Sequence, residues 1–302
     1  MQKRLVLLLI VAIAVFTSFM AISSVPSSGP SAKSVTVTWG LLGEIVYRLG
    51  GGEIEVHQLL PQGAEIHDWE PTPESVDQVS KSRLLIYTGL GLDDWAVKLG
   101  EVTGVRIFEA THDLPILITL DGEEHGYGTV DPHVWLSPRN TIKIVENVAG
   151  ELARAFPEYS GRISDNMRLL IEELEELDRE IEAGLKPYVG QVFITQHDAF
   201  QYFARSYSLR SVGILGPEEE EPASSKLANI YGLIRSEGIK VVYAEDDLIS
   251  SILESIKRDT GVEIKMLYTG ETLTLQDVKQ GRGYKEMMLN NFKALVEGFK
   301  LE

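Results

Sequence analysis

Two stretches of this chain alternate short β-type runs with helix-type runs, and that alternation restricts the fold more than any other feature. In the first stretch, residues 35–38, 54–60, 84–88 and 105–108 read as strands, and 41–49, 73–80, 92–99 and 138–156 as helices between or after them. In the second, 192–195, 212–215, 241–244 and 264–267 read as strands, with helices over 199–206, 224–236 and 249–260. Consecutive strands separated by helices pair in parallel through crossovers. The expected fold class is therefore α/β: two similar βα lobes with mainly parallel sheets. Between them, residues 162–185 place Met167, Leu170, Leu174, Leu177, Ile181 and Leu185 at steps of three or four, one apolar stripe on a helix whose other face is dense in Glu, Asp and Arg. Gly184 and Pro187 mark its expected end. One long rigid helix joining two lobes is a stiff linker.

Lys3 and Arg4 precede an apolar run over residues 5–22, interrupted only by Thr17 and Ser18. This is the basic and apolar layout of a secretory signal. It also has the minimum length for a membrane anchor. Residues 23–33 are rich in Ser, Pro and Gly and read as a tether or cleavage region. The chain divides accordingly: 1–33 signal peptide or anchor plus tether, 34–157 first lobe, 158–187 linker helix, 188–302 second lobe. The body is expected outside the cytoplasm, secreted or anchored to the outer face of the cell membrane.

Charge and cysteine usage narrow the chemistry. Asp plus Glu number 45 against 28 Lys plus Arg, a net charge of −17. Such a chain repels phosphate backbones and attracts cations, so no nucleic-acid partner is expected. The absence of cysteine excludes disulfides, thiolate metal sites, a Cys nucleophile and lipid attachment through Cys within these residues. A transition metal must be held by His, Asp, Glu or solvent. No P-loop or G-x-S-x-G elbow occurs, and Gly89-Leu90-Gly91 lacks the third glycine of a dinucleotide fingerprint.

Three of the six histidines stand out. His67 lies in a loop after the second strand, before a Thr72-Pro73 helix start; His133 precedes a Ser137-Pro138 helix start; His197 sits where a strand becomes a helix. Strand-to-helix connections gather at the carboxyl ends of parallel strands, where ligands bind. Two lie in the first lobe and one in the second, so all three can face one cleft. Neutral imidazole suits zinc, and the acids alongside (Asp68 and Glu70, Asp131, Asp198) can accept the other ring N–H. His57 reads as a structural strand residue, and His112 and His125 flank an acidic, glycine-containing loop.

The motifs together resemble the metal-binding solute-binding proteins of ABC transporters, which deliver zinc or manganese. The resemblance is carried by Leu60-Pro61-Gln62-Gly63 through Pro73, Leu90-Gly91-Leu92-Asp93-Asp94-Trp95, Asp131-Pro132-His133-Val134-Trp135-Leu136-Ser137-Pro138, Gln196-His197-Asp198-Ala199-Phe200-Gln201-Tyr202-Phe203, and Glu219 to Pro222. It implies metal in the interlobe cleft and places His67, His133 and His197 on three ligand positions. Three imidazoles favour zinc as the transported ligand, with manganese as the other possibility. The fourth position, usually Asp in this group, falls on Tyr268, a poor neutral ligand. Glu271 ranks first to complete the shell, because Gly270 can take φ > 0 and redirect the chain; water ranks second and Glu245 third. The implied partners are an ABC permease with its ATPase, the membrane through the N-terminal segment, and no second copy of the chain. No enzymatic activity is expected. The rival readings are a zinc hydrolase, with three His, a bound water and Glu70 or Asp198 as base, and a metal-binding adhesin.

Overall fold

The computed structural model describes residues 33–67, 69–119, 129–215, 222–246 and 249–301. The expected targeting segment, Asp68, His125 and Glu219–Glu221 lie outside the described residues. Among the described residues no helix is long and apolar enough to cross a membrane.

The first sheet is built from β1 (Ser34–Val37), β2 (Glu55–Gln58), β3 (Leu84–Tyr87) and β4 (Arg106–Glu109), connected through α1 (Gly40–Gly50), α2 (Pro73–Ser80) and α3 (Trp95–Thr103). Its strands are all parallel, in the order β2-β1-β3-β4, with Val35 paired to both Val56 and Leu84. The central strands β1 and β3 are buried along their whole length: β3 is a continuous apolar run, while β1 alternates Val35 and Val37 with Ser34 and Thr36, whose buried hydroxyls are hydrogen-bonded. A small antiparallel pair, β5 (Ile118–Thr119) and β6 (Thr129–Val130), follows, then α4 (Pro138–Ala155) and the long α5 (Ser160–Leu185). The second sheet comprises β7 (Val192–His197), β8 (Arg210–Leu215), β9 (Val241–Glu245) and β10 (Glu263–Leu267), with α6 (Gln201–Ser206), α7 (Ser224–Glu237) and α8 (Ser251–Thr260) between them. It too is parallel, in the order β10-β9-β7-β8. The chain closes with α9 (Leu275–Lys279) and α10 (Tyr284–Phe299).

Helix α5 is 26 residues long, about 39 Å at 1.5 Å per residue. It buries Ile163, Leu170, Leu174, Leu177, Ile181 and Leu185; of the stripe read from the sequence, Met167 is only partly buried against the core, and Ile163 adds a turn at the start. These side chains belong to a single apolar core that runs from Val35, Trp39 and Leu84 to Phe193, Phe200 and Leu267. The two sheets thus share packing through α5 in addition to being tethered by it.

Helix α5 ends at Leu185, between Gly184 and Pro187 as read; Gly184 lies in its last turn, where a Cβ would sit 2.2 Å from Phe292 Cζ of α10. The third helix starts at Trp95, not 92, because Gly89, Leu90 and Gly91 all have φ between 60 and 88°. The carboxylate of Asp93 closes that turn by accepting from Thr38 Oγ1 and from the Thr88 and Gly89 amides. Finally, residues 268–283 return from the second lobe to the first. Leu275 N donates to Gln58 Oε1 (3.1 Å), Tyr284 N to Glu44 Oε2 (2.7 Å), and a Cβ on Gly40 would stand 1.9 Å from the Leu273 carbonyl oxygen. Only a glycine lets α1 and this strap touch backbone to backbone. The sequence reading made nothing of α10, although Tyr284, Met287, Met288, Asn291 and Leu295 form a helical stripe.

Candidate metal centre

Of the three strand-end histidines, His67 and His197 each approach His133. His197 is the last residue of β7, His67 lies in the β2–α2 loop, and His133 lies in the Asp131–Ser137 segment that leads into α4. The His133 and His197 ring centroids are 5.2 Å apart, with 5.8 Å between His67 and His133. Glu271 joins them from the strap. Gly270 takes φ = 87°, turning the chain so that this carboxylate points inward.

The ring nitrogens are presented with a defined orientation. Asp131 Oδ1 lies 2.8 Å from His133 Nδ1 and also accepts the His133 amide (2.9 Å), so Nε2 faces the cluster. His197 is held the same way, but by Glu245, which accepts from both His197 Nδ1 and the His197 amide. Glu245, ranked third as a ligand, thus spends both oxygens orienting His197. Asp198, expected beside His197, instead bonds Gln201. Tyr268 sits partly buried against the core, its backbone N–H and C=O both bonded to Asn291.

The distances between candidate donor atoms carry the chemistry. A tetrahedral ion with bonds of about 2.0–2.1 Å has donor atoms about 3.3–3.4 Å apart. Here His133 Nε2 to Glu271 Oε1 is 3.1 Å, His67 Nε2 to Glu271 Oε1 is 3.4 Å, and His133 Nε2 to His197 Nε2 is 3.3 Å. His67, His133 and Glu271 form a set whose donor atoms all lie within 4.8 Å of one another. Glu271 Oε1 is buried yet receives no hydrogen bond of good geometry, as expected if the atoms surround a common point and do not pair with each other.

Electrostatics agree. Burial works against charge on His133, but the Asp131 hydrogen bond and the nearby Glu271 carboxylate push its imidazole up to about 10. His197 is likewise raised, with Glu245 outweighing burial. Burial opposes ionisation of Glu271, yet His133 and His67 hold its carboxyl well below the usual range. The carboxylates around these imidazoles favour positive charge in the cluster, which a cation can supply in place of protons. His133 is sealed, its side chain 1% exposed, whereas the His67 side chain is 26% exposed and forms the entrance. Trp135 packs 5.3 Å from the His133 ring and donates Nε1–H to the Thr269 carbonyl (2.7 Å), shielding the inner side.

The other two described histidines stand elsewhere. His57 lies on edge strand β2 beside Glu55, its side chain 37% exposed and not built into the core; exposed His112 pairs with Asp113.

The chain is similar to known zinc proteins along nearly its whole length. It is 29% identical over 291 residues to the zinc-binding lipoprotein AdcA of Streptococcus pneumoniae, spanning 92% of this chain and 58% of AdcA, so it matches less than two thirds of that relative. Against the high-affinity zinc uptake system protein ZnuA of Bacillus subtilis it is 27% identical over 287 residues, 91% of this chain and 89% of the relative. The crystal structure of the Zn(II)-bound ZnuA-like domain of the pneumococcal AdcA superimposes with a TM-score of 0.75 at 28% identity, over 89% of this chain and 99% of that domain. Residues 35–298 match the family described as ZnuA, zinc-uptake complex component A, periplasmic, and with both lobes inside that span the chain belongs to the ZnuA family.

Proposed function

We propose that this protein is an extracytoplasmic solute-binding protein that captures a divalent transition metal, zinc first and manganese second, and delivers it to an ABC permease driven by its ATPase. His67, His133, His197 and Glu271 are the proposed ligands. The observation that carries this reading is the group of His67, His133 and Glu271, whose donor atoms all lie within 4.8 Å of one another and meet at Glu271 at 3.1 and 3.4 Å, close to the edge of a zinc tetrahedron, with His197 Nε2 3.3 Å from His133 Nε2 at its side. Relatives named as zinc-binding and zinc-uptake proteins support it. Residues 34–157 and 188–302 act as the two jaws and 158–187 as the stiff linker. Residues 1–33 target the body or anchor it; with no cysteine in the chain, that anchor is the apolar run itself.

A hydrolase reading is disfavoured by the carboxylate. With Glu271 as the fourth ligand the protein closes the tetrahedron itself and leaves no position for a nucleophilic water. Nor is either proposed base free in the cluster: Asp198 bonds Gln201 and Glu70 is exposed. The adhesin reading shares the same metal chemistry and no feature described above favours it.

The test is elemental analysis of the purified protein followed by competitive zinc and manganese titration. His67→Ala, His133→Ala and His197→Ala are each expected to weaken zinc at least tenfold, about 1.4 kcal/mol, while His57→Ala is silent. Equal affinity in wild type and the first three variants would remove the site.

A further inference from the structure

Glu245 and Asp246 are consecutive acids at the carboxyl end of β9, the strand between β10 and β7. Glu245 reaches sideways to β7 and holds His197. Asp246 reaches the other way, toward the turn after β10. It accepts from the Thr269 amide (3.1 Å) and from Thr269 Oγ1 (2.6 Å), a length typical of a charge-assisted bond, while its own N–H donates to the Leu267 carbonyl (3.1 Å). It does so with φ = 47°, a left-handed conformation that Asp and Asn tolerate better than other residues with side chains.

We propose that Asp246 is a positioning residue for Glu271, as Glu245 is for His197, so that the end of one strand sets both second-lobe groups of the metal site. Thr269 Oγ1 has one proton and two acidic neighbours, Asp246 Oδ2 at 2.6 Å and Glu271 Oε2 at 3.2 Å. Donating to Asp246 leaves its lone pairs facing Glu271, where Oγ1 accepts the Glu271 amide (3.3 Å). The Glu271 carboxylate then keeps its charge for the cluster. Without the Asp246 anion the hydroxyl can rotate and donate to Glu271 Oε2, drawing that charge away from the metal and freeing the turn.

The proposal rests on Glu271 being a ligand, and a double-mutant cycle separates the two. Zinc affinity is measured by chelator competition for wild type, Asp246→Asn, Glu271→Gln and the double variant, with thermal melts of each metal-free protein. Asn preserves the left-handed backbone and the acceptor for the Thr269 amide but removes the anion facing the hydroxyl. Asp246→Asn is expected to weaken zinc about 10- to 100-fold in the wild-type background, the range for removing a ligand's supporting partner, and less than twofold in the Glu271→Gln background. Thr269→Val, which deletes the hydroxyl and keeps the amide, serves as the second variant if Asp246→Asn fails to fold. It is expected to lose its effect in the Glu271→Gln background in the same way. A loss of equal size in both backgrounds, or none in the wild type, overturns the positioning role. A silent Glu271→Gln overturns the ligand reading itself.

Discussion

Replacing Glu271 by Gln is the sharpest perturbation of the site, because it keeps the shape and removes one charge. Three imidazoles leave a divalent ion with its full charge in a buried pocket; the carboxylate halves it. Glu271 is 6% exposed, so its attraction to the ion is little screened. Removing one partner of a buried, paired charge costs about 3–5 kcal/mol, which is roughly 160- to 5,000-fold in Kd. Two features reduce the loss. The His67 side chain is 26% exposed, so water can enter and take the fourth position. Glu271 also helps raise the His133 pKa, so Gln makes that proton easier to displace. The expected loss is therefore below that range, about 2–3 kcal/mol, or roughly 30- to 160-fold. Competition with a chromophoric zinc chelator at pH 7.5, on protein shown by circular dichroism to be folded, measures it. A change of less than threefold would refute the charge argument, leave a three-His site completed by solvent, and justify a direct search for hydrolytic activity.

Zinc loading should release about one proton at neutral pH, because His133, raised to about 10, must surrender it before Nε2 can coordinate. Affinity should rise from pH 6 to 9, and calorimetry in two buffers of different ionisation enthalpy should give different apparent heats; identical heats would contradict this. In the metal-free protein the same group stabilises the fold fully below its unfolded value near 6.5, and that contribution fades as pH rises through about 10, which urea titrations across that range will register. Gly40→Ala, whose Cβ would meet the Leu273 carbonyl at 1.9 Å, should destabilise by about 1–3 kcal/mol and weaken zinc as well, since the displaced strap carries Glu271; an unaltered urea midpoint would show the contact to be slack. Leu174→Asp, at a position 2% exposed in the middle of α5, should cost about 3 kcal/mol or more, read as a lower denaturation midpoint.

Much of this protein was legible in one dimension. The two βα series, the amphipathic stripe of α5 and the strand-end histidines are local patterns, and each is read from periodicity or from turn residues beside it. The start of α2 is an example: Thr72 and Ser75 make the reciprocal cap that Thr-Pro forecast. Glu271 was reachable because Gly270 signalled a reversal of the chain. Other features depended on how distant segments meet. That Glu245 serves His197 while Asp198, adjacent to it in sequence, does not, follows from β9 lying beside β7, an adjacency no local pattern encodes. Gly40 and Gly184 reveal their purpose only against Leu273 and Phe292, over a hundred residues away. The three histidines are separated by 66 and 64 residues, so local chemistry could nominate them but not measure their spacing. The 3.1–3.4 Å separations arise from sheet order, the shared core across α5 and the returning strap. Those are long-range packing outcomes, and tertiary structure alone decides them, because contact between distant residues depends on every element folded between them.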